Sequence, residues 1–247
     1  MQHFPMSVLV IVPTYNEREN IVDLIEALLR LSEIHVCVVD DSSPDGTSDV
    51  VKAAIAESPG WGGRVDLITR SVKDGRGGAV RDGFIWGLGS GHRFSNLVEM
   101  DCDFSHRPDA IPEGIDLLEA GSDVVLGVRY PDGQIIDWPL PRRVFSRIAN
   151  LMARILIDRS ITDYTNGFRF YSARAARTLT TSPQRHTGYI YLSESLSLLL
   201  RSGYQISTFP IVFKNRDRGE SSTTLGEILS ALRGVLAIGW RHRFSKR

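Results

Sequence analysis

Residues 7–39 read SVLVIVPTYNERENIVDLIEALLRLSEIHVCVV, and this stretch decides the fold class. Its first seven residues are mostly β-branched and close with Pro13, which predicts a short strand buried on both faces. Residues 20–31 repeat apolar side chains at helical spacing, and residues 34–39 form a second apolar run. A strand, a helix and a strand in this order predict a βαβ unit, and therefore the beginning of a parallel sheet.

The same alternation continues along the chain. Further helices are predicted over residues 49–57, 78–87, 109–119, 144–157, 173–179, 193–201 and 225–240, and further strands over residues 64–69, 96–100, 123–128 and 205–213. Residues 130–141 contain three prolines and predict an irregular loop. The order predicts an α/β protein with a Rossmann-like, mostly parallel central sheet flanked by helices, in a single domain that ends in an amphipathic C-terminal helix.

The composition is that of an ordinary globular chain. Its 247 residues are 42% hydrophobic and 23% charged, which excludes a disordered protein and leaves room for a large core. Two cysteines, Cys37 and Cys102, are too few for a disulfide framework. We recognise no signal peptide, and no apolar run approaches the roughly 20 residues of a spanning helix. The sequence therefore predicts a protein that is soluble or lies on a membrane surface.

The charge is divided between the two halves of the chain. Residues 1–128 carry 10 Lys and Arg against 21 Asp and Glu, whereas residues 129–247 carry 19 against 8. An acidic half can hold a cation, and an arginine-rich half can hold phosphate or face an anionic membrane. The alternative is chance clustering of charge on solvated faces.

Two aspartates follow the apolar strand at residues 96–100. In Met100-Asp101-Cys102-Asp103, side chains two apart point the same way on extended chain, so both carboxylates can face one ligand. Mg²⁺ typically takes one or two carboxylates together with phosphate oxygens and water, and ligands of such folds bind at the C-terminal edge of the sheet. The pattern predicts a divalent-metal site at Asp101 and Asp103, with a plain loop or helix cap as the alternative.

A second acidic cluster, residues 40–45, follows the second strand. An aspartate there can accept hydrogen bonds from a base or ribose, whereas Ser43 or Asp45 can cap the next helix. After the first strand, residues 13–17 replace the Gly-x-Gly-x-x-Gly of a dinucleotide-binding fold, which argues against NAD or FAD. The glycine-rich residues 73–78 lack the ending of an ATPase loop, and the six histidines show no zinc spacing.

Four motifs in one order resemble a known family. They are Pro-Thr-Tyr-Asn-Glu, Val-Val-Asp-Asp-Ser-Ser-Pro-Asp-Gly-Thr, Met-Asp-Cys-Asp-Phe-Ser-His and Gly-Val-Arg-Tyr. Together they resemble family 2 glycosyltransferases of the GT-A fold, and within them the dolichol-phosphate or polyprenol-phosphate mannose synthases. The resemblance implies a glycosyltransferase domain over residues 1–224, with a nucleotide-sugar-binding half at 7–105 and an acceptor-binding half at 106–224. Residues 225–247 would be an amphipathic helix and basic tail that anchor the chain at the membrane interface.

The resemblance also implies roles for individual residues. The nucleotide sugar would be bound by Pro13, Tyr15, Glu17, Val39, Asp41, Asp101, Cys102, Asp103, Arg129 and Arg216. Asp101 and Asp103 would hold Mg²⁺ or Mn²⁺ against the diphosphate. Catalysis would rest on Asp103, Arg129, Arg142, Arg143 and Ser146, and arginine suits phosphate because its guanidinium binds bidentately and keeps its proton. Sugar and acceptor candidates are Asp163, Asn166, Glu194 and Arg218, with a cap or an ion pair as the alternative role of Asp163 and Glu194.

The reaction implied is inverting transfer of a hexosyl group, foremost mannose from GDP-mannose, to polyprenyl or dolichyl monophosphate at the cytoplasmic membrane face. A lipid phosphate loses its second proton near pH ~6, by analogy with phosphorylated side chains, so no catalytic base is required. Other donors are UDP-glucose and UDP-N-acetylhexosamines. A saccharide hydroxyl acceptor would need a base such as Asp163 or Glu194, and a non-catalytic nucleotide-sugar-binding protein is the alternative from another class. Nucleic acid is not expected as a partner, because the arginines lack aromatic interleaving.

Two positions depart from the family's pattern. Ser222 stands where a diphosphate-binding lysine is usual, and Arg218 is the substitute we consider. Asn166 varies the Asp-x-Thr-x-Gly-Phe pattern near the expected sugar. For the last helix, core packing with an ordinary basic tail is the alternative to a membrane anchor.

Overall fold

The computed structural model describes residues 8–61, 63–215 and 225–244, with side chains in the last segment only for residues 234–243. The helices are α1 (Ile21–Leu29), α2 (Thr47–Glu57), α3 (Arg76–Gly89), α4 (Ile111–Glu119), α5 (Leu140–Leu156), α6 (Ala173–Thr181), α7 (Tyr191–Arg201) and α8 (Leu225–Phe244). The strands are β1 (Val8–Thr14), β2 (Ile34–Asp40), β3 (Val65–Thr69), β4 (Asn96–Glu99), β5 (Val124–Val128), β6 (Gln134–Ile136), β7 (Arg169–Ser172), β8 (Ile206–Pro210) and β9 (Val212–Lys214).

A seven-stranded sheet forms the centre, in the order β3-β2-β1-β4-β7-β5-β8. β7 runs antiparallel between β4 and β5, and the other pairs are parallel. The predicted mostly parallel sheet is therefore confirmed. The chain order reverses between β1 and β4, and ligands of doubly wound sheets bind at the carboxyl ends of strands beside such a point.

Both faces of the sheet are covered by helices. Leu9 and Ile11 of β1 enter the core on the α3 side, while Val8, Val10 and Val12 enter the core on the α1 side. This alternation follows from the two-residue period of a strand. On α3, a Cβ at Gly83 would stand 2.6 Å from Cγ2 of Ile11, so glycine allows the helix to lie close to β1.

Three elements differ from the sequence prediction. The pattern does not predict β7, because Arg169 interrupts a short run and is itself fully buried, donating Nη1–H to the carbonyl of Leu192 at 2.7 Å. The predicted strand over 205–213 is two strands, which separate at Pro210, and β9 pairs with β6 in a small second sheet. The predicted loop over 130–141 contains β6 and the first turn of α5, where a proline is well tolerated.

The last helix, α8, packs against α5 and α7. Val235 and Ile238 are buried, whereas Leu236 and Trp240 are 51% and 68% exposed. Over the described side chains, the predicted apolar stripe is therefore divided between two faces, and the tail at 245–247 lies outside the described residues. No helix in the described segments combines the length and the hydropathy that crossing a membrane requires.

Candidate active site

The aspartate pair lies just beyond β4, at the carboxyl edge of the sheet. Asp101 and Asp103 are partly exposed while Cys102 between them is buried, so both carboxylates are on the accessible side, as the alternation predicts. Oδ1 of Asp103 accepts hydrogen bonds from the backbone N–H and the hydroxyl of Ser105, at 3.1 and 2.5 Å. The Cys102 side chain belongs to the core, and burial raises the pKa of its thiol, so it is not a charged ligand.

These two carboxylates fit a hard divalent cation that takes its remaining ligands from phosphate and water. In the part of the chain that the structure describes, no three His, Cys, Asp or Glu side chains cluster closely enough to hold a metal by themselves. The donor set therefore suits a cation that arrives with a diphosphate.

His106 holds the aspartate segment in place. Its buried ring stacks on Phe168, with 5.1 Å between the centroids. Nδ1 accepts the backbone N–H of Asp101 at 3.0 Å, and Nε2 lies 2.9 Å from Oδ1 of Asn166, a pattern that assigns a neutral ring with its proton on Nε2. Burial lowers the pKa of His106 despite the nearby aspartates. Asn166 also donates Nδ2–H to the carbonyl of Gly127 at 2.6 Å, so its amide is engaged internally at both ends and does not support the predicted sugar contact.

Arg129 and Asp163 form a buried ion pair. Nε and Nη2 of Arg129 donate to the two carboxylate oxygens of Asp163 at 2.8 and 2.9 Å, and Nη2 also donates to the hydroxyl of Thr165 at 2.7 Å. Burial by itself would raise the pKa of Asp163, but the charge and hydrogen bonds of Arg129 outweigh it and hold that pKa below its usual value. Asp163 was predicted either to contact the sugar or acceptor or to form a cap or ion pair, and the structure contains the ion pair.

Trp138 brings two of the predicted arginines together. The guanidinium carbons of Arg129 and Arg142 lie 5.1 and 4.2 Å from the centre of its ring system. Arg142 also donates Nη1–H to Oδ1 of Asn215 at 3.2 Å, next to β9. The two charges are thus gathered around one indole, an arrangement that favours cations through the ring quadrupole.

Arg143 and Ser146 follow on the first turns of α5. Arg143 donates Nη2–H to the carbonyl of Ile135 in β6 at 3.1 Å, and the buried hydroxyl of Ser146 accepts from the hydroxyl of Tyr130 at 3.2 Å. The bonds join α5 to the segment after β5. The structure therefore brings Arg129, Arg142, Arg143 and Ser146 into one region, and their phosphate-binding roles stay predictions.

One segment, residues 163–166, is linked to both the aspartate pair and the basic region. Asn166 is hydrogen-bonded to His106, which accepts the backbone N–H of Asp101, and Asp163 binds Arg129. A family model for Glycosyl transferase family 2 matches residues 9–180. The chain belongs to glycosyl transferase family 2. The prediction drawn from the four motifs is thereby confirmed.

Two curated relatives match this transferase over almost its whole length. It is 35% identical to a polyprenol monophosphomannose synthase from Mycolicibacterium smegmatis, over 96% of this chain and 89% of that protein. It is 36% identical to an undecaprenyl-phosphate mannosyltransferase from Micrococcus luteus, over 97% of this chain and 96% of that protein. The similarity therefore extends over both halves of the transferase.

Solved structures confirm the GT-A fold. A glucosyl-3-phosphoglycerate synthase from Mycobacterium tuberculosis, in complex with Mn²⁺, UDP-glucose and phosphoglyceric acid, superposes with a TM-score of 0.70 at 18% identity. The superposition covers 96% of this transferase and 80% of that chain. A second structure of that synthase, with Mn²⁺, UDP and phosphoglyceric acid, gives a TM-score of 0.67 at 19% identity over 96% and 78% of the two chains.

The residues predicted to bind the nucleotide begin at the end of β1. Pro13 lies beside Val39 of β2 in the sheet register, and Tyr15 is 37% exposed with the ammonium of Lys73 3.4 Å from its ring centre. Glu17 is half-buried and accepts Nδ2–H of Asn20 at 2.8 Å. An accessible ring with a cation beside it suits a base and its phosphates, so the predicted roles of Pro13, Tyr15 and Glu17 stay compatible with their positions.

Asp41 and Val39 are less accessible than predicted. The Asp41 carboxylate accepts Nη1–H of Arg70 at 2.5 Å and the backbone N–H of Gly75 at 2.8 Å, so it ties the glycine-rich loop to the end of β2. The Val39 side chain is fully buried on the α3 side of the core. Contacts of Asp41 and Val39 with a nucleoside remain predictions. They would have to be made by backbone atoms, or by the Asp41 carboxylate after one of its present partners is displaced.

Glu194 lies on α7 and supports a loop. Its Oε2 accepts the backbone N–H groups of Arg185 and His186 at 3.1 and 3.0 Å, and Oε1 lies 3.7 Å from Arg241 of α8. The capping and ion-pairing role is therefore the one present. Arg216, Arg218 and Ser222 fall outside the described residues.

Sequence reasoning missed two charged residues beneath the aspartate pair. Glu99 ends β4 with no exposed surface, and Arg76 begins α3 with a side chain that is 8% exposed. Nη1 of Arg76 donates to Oε2 of Glu99 at 2.8 Å. The sequence does contain a signal for this pair, because Glu99 directly follows the apolar residues Leu97 and Val98 in β4. A glutamate that is buried with such residues needs a charged partner.

Proposed function

We propose that the protein is an inverting transferase that moves a hexosyl group, foremost mannose from GDP-mannose, to polyprenyl or dolichyl monophosphate. The observation that carries the proposal is that one segment, residues 163–166, holds both groups: Asn166 is bonded to the His106 that fixes Asp101, and Asp163 binds Arg129. Such a site has acidic groups for a metal–diphosphate and basic groups for a second phosphate. The names of both curated relatives, which act with mannose and a polyprenyl lipid, support the same assignment.

The contacts of the candidate bases favour a phosphate acceptor over a saccharide hydroxyl. A hydroxyl must lose a proton as it attacks, and it therefore needs a base. Asp163 is bound by Arg129 through both oxygens and its pKa is lowered, while Glu194 accepts two backbone N–H groups. Neither carboxylate is suited to take a proton, whereas a lipid phosphate is already an anionic nucleophile near neutral pH.

Asp101 and Asp103 would hold Mg²⁺ or Mn²⁺. When bound, the cation would neutralise charge on the departing nucleoside diphosphate. The chain itself supplies orientation: His106 fixes the backbone of Asp101, and Ser105 fixes the carboxylate of Asp103. The Mn²⁺ in the structurally similar glucosyl-3-phosphoglycerate synthase supports a divalent cation in this fold.

Arg142 and Arg143 would hold the acceptor phosphate for in-line attack, because Arg129 is buried and already paired with Asp163. Their charge persists at every physiological pH, and holding both reactants converts the encounter into an intramolecular step. Arg142 and Arg143 sit at the beginning of α5, where an acceptor phosphate would meet the sugar carbon C1. A single displacement inverts C1, so an α-linked donor gives a β-linked lipid sugar.

We further propose that α5 docks the protein on an anionic bilayer at the cytoplasmic membrane face. Five apolar side chains at helical spacing share its outer face and are each at least 47% exposed: Leu140, Val144, Ile148, Leu151 and Ile155. Exposed Arg147 lies on the same helix, and α8, which packs against α5, carries exposed Leu236 and Trp240. An apolar face flanked by arginines matches acyl chains and anionic headgroups, and a lipid acceptor has to be met there.

Vesicle sedimentation tests this docking face. Ile148→Glu should lower binding to phosphatidylglycerol vesicles about tenfold, since burying the exposed half of such a side chain contributes about 1 kcal/mol and the new carboxylate is repelled by the anionic headgroups. Ile85→Glu on α3 is the matched control, because Ile85 and Ile148 are both 48% exposed. Equal loss in both variants, or wild-type binding by the Ile148 variant, would contradict the proposal.

A transfer assay tests the reaction. The protein, Mg²⁺ and vesicles containing polyprenyl phosphate would be offered radiolabelled GDP-mannose, UDP-glucose and UDP-N-acetylhexosamines in parallel. The proposal predicts a labelled lipid from which mild acid releases the labelled sugar, and it predicts the largest amount of this product with GDP-mannose. Labelled lipid from a UDP-sugar alone would show that this sugar nucleotide, and not GDP-mannose, is the donor. Donor binding without any lipid product would favour a saccharide acceptor or a non-catalytic binding protein.

A further inference from the structure

A buried carboxylate lies directly below the aspartate pair. Glu99 is fully buried, and its two oxygens meet the guanidinium of Arg76 at 2.8 Å, the hydroxyl of Tyr171 at 2.7 Å and the hydroxyl of Tyr191. A buried charge is tolerated only when it is paired and hydrogen-bonded in this manner. Glu99 contacts neither the exposed carboxylates nor solvent. Any effect of Glu99 on the site is therefore exerted through its ion-pair partner Arg76.

The partner, Arg76, uses each edge of its guanidinium for a different group. Nε donates to Oδ1 of Asp101 at 2.8 Å, Nη1 donates to Glu99, and Nη2 donates to the carbonyl of Gly167 at 3.0 Å. Of these groups, Asp101 is the one in the candidate metal site. Only a planar fork with several fixed donors can serve these directions together.

The glycine-rich residues 73–78 bring Arg76 to this position. Gly75 has a φ of +80°, and a Cβ there would stand 2.9 Å from the carbonyl oxygen of Thr187. The backbone N–H of Gly77 donates to that same oxygen at 2.6 Å. The glycines therefore permit the chain to pass beneath the 187–188 segment and turn Arg76 inward.

We propose that Arg76 is a positioning residue that fixes the carboxylate of Asp101 for the metal–diphosphate, with Glu99 as its counter-charge. The inference rests on the proposed function of the aspartate pair. The bond from Nε fixes how the Asp101 carboxylate is turned, while His106 fixes its backbone. An arginine so close to a cation would repel it, and Glu99 offsets that charge, so Asp101 and Asp103 keep their combined negative charge for the cation.

Arg76→Lys is the primary test. Lysine keeps the positive charge beside Glu99 but offers one ammonium in place of the fork, so it cannot hold Asp101 and Glu99 in the same geometry. Mn²⁺ binding in the presence of GDP, and separately of UDP, would be measured by calorimetry together with the melting temperature. We expect Mn²⁺ affinity to fall about tenfold or more, the usual effect of losing a group that orients a metal ligand.

Two further variants separate positioning from stability. Tyr171→Phe removes another hydrogen bond to Glu99, so it should lower the melting temperature while Mn²⁺ affinity stays at the wild-type value. Arg76→Leu with Glu99→Leu keeps the cluster neutral and should also bind Mn²⁺ weakly. Wild-type Mn²⁺ affinity in Arg76→Lys or in the double variant would overturn the inference.

Asp103→Ala distinguishes this failure from failure of the proposed site. Loss of Mn²⁺ binding in that variant, with unchanged binding in Arg76→Lys, would overturn the role of Arg76 and leave the metal site standing. Absence of nucleotide-dependent Mn²⁺ binding in the wild-type protein would overturn both.

Discussion

The buried pair of Arg129 and Asp163 permits a sharp prediction for Asp163→Asn. The substitution keeps the size of the side chain but removes its charge and one of the two oxygens that accept from Arg129 at 2.8 and 2.9 Å. Arg129 is 4% exposed, so its cation cannot turn to water for compensation. The variant therefore leaves an uncompensated buried charge.

Breaking a buried ion pair by removing one partner costs about 3–5 kcal/mol. For a chain of this size, 1 kcal/mol corresponds to about 2–4 °C in melting temperature, so we expect a fall of about 6–20 °C. The control is Asp109→Asn, because Asp109 pairs with Arg107 at the surface with both side chains at least 60% exposed. An exposed pair contributes about 0–1 kcal/mol, so the control should stay close to wild type.

The pH dependence of the free energy of unfolding provides a second test of the Arg129–Asp163 ion pair. The pKa of Asp163 is lowered from its usual value of 3.8, so its stabilising contribution is complete above that value and is lost as the pH falls below it. Urea unfolding of wild type and Asp163→Asn should therefore differ most above pH 5 and converge in more acidic buffer. A loss of unfolding free energy below about 1 kcal/mol in Asp163→Asn at neutral pH would show that the ion pair is not the source of the stabilisation. A difference between the two proteins that does not change with pH would show the same.

The remaining predictions concern the site itself. Asp103→Ala should abolish metal-dependent transfer while the chain stays folded, and full activity in the presence of a chelator would count against the metal assignment. Arg142→Ala with Arg143→Ala should raise the KM for the lipid phosphate more than the KM for the donor, because both lie at the start of α5, where the acceptor phosphate is proposed to bind. Steady-state kinetics with each substrate varied in turn check this, and an unchanged acceptor KM would contradict it.

The fold could be predicted wherever apolar periodicity controls the element. β1 to β4 and the helices between them follow their hydrophobic pattern because each strand is covered on both faces. β7 could not be predicted, since Arg169 is buried by carbonyl partners from distant segments that sequence spacing does not reveal. The division between β8 and β9 depends on which neighbouring strand each half pairs with.

The candidate site could be predicted where motif and position coincide. Asp101 and Asp103 follow a strand directly, so their shared accessible side follows from local geometry. Asp163 was ambiguous because an ion pair depends on a residue 34 positions away. Arg76 and Glu99 escaped prediction for the same reason, since each gains its role from a partner in another element.

In the proposed reaction, the acceptor is a lipid phosphate that attacks without a protein base. The most direct measurement offers the protein one labelled donor, Mg²⁺, and matched vesicles that contain either polyprenyl phosphate or the corresponding polyprenol. We expect labelled lipid with the phosphate alone, with the β configuration at C1 from an α-linked donor. Transfer to the alcohol at a comparable rate, or retention of the α configuration, would contradict it.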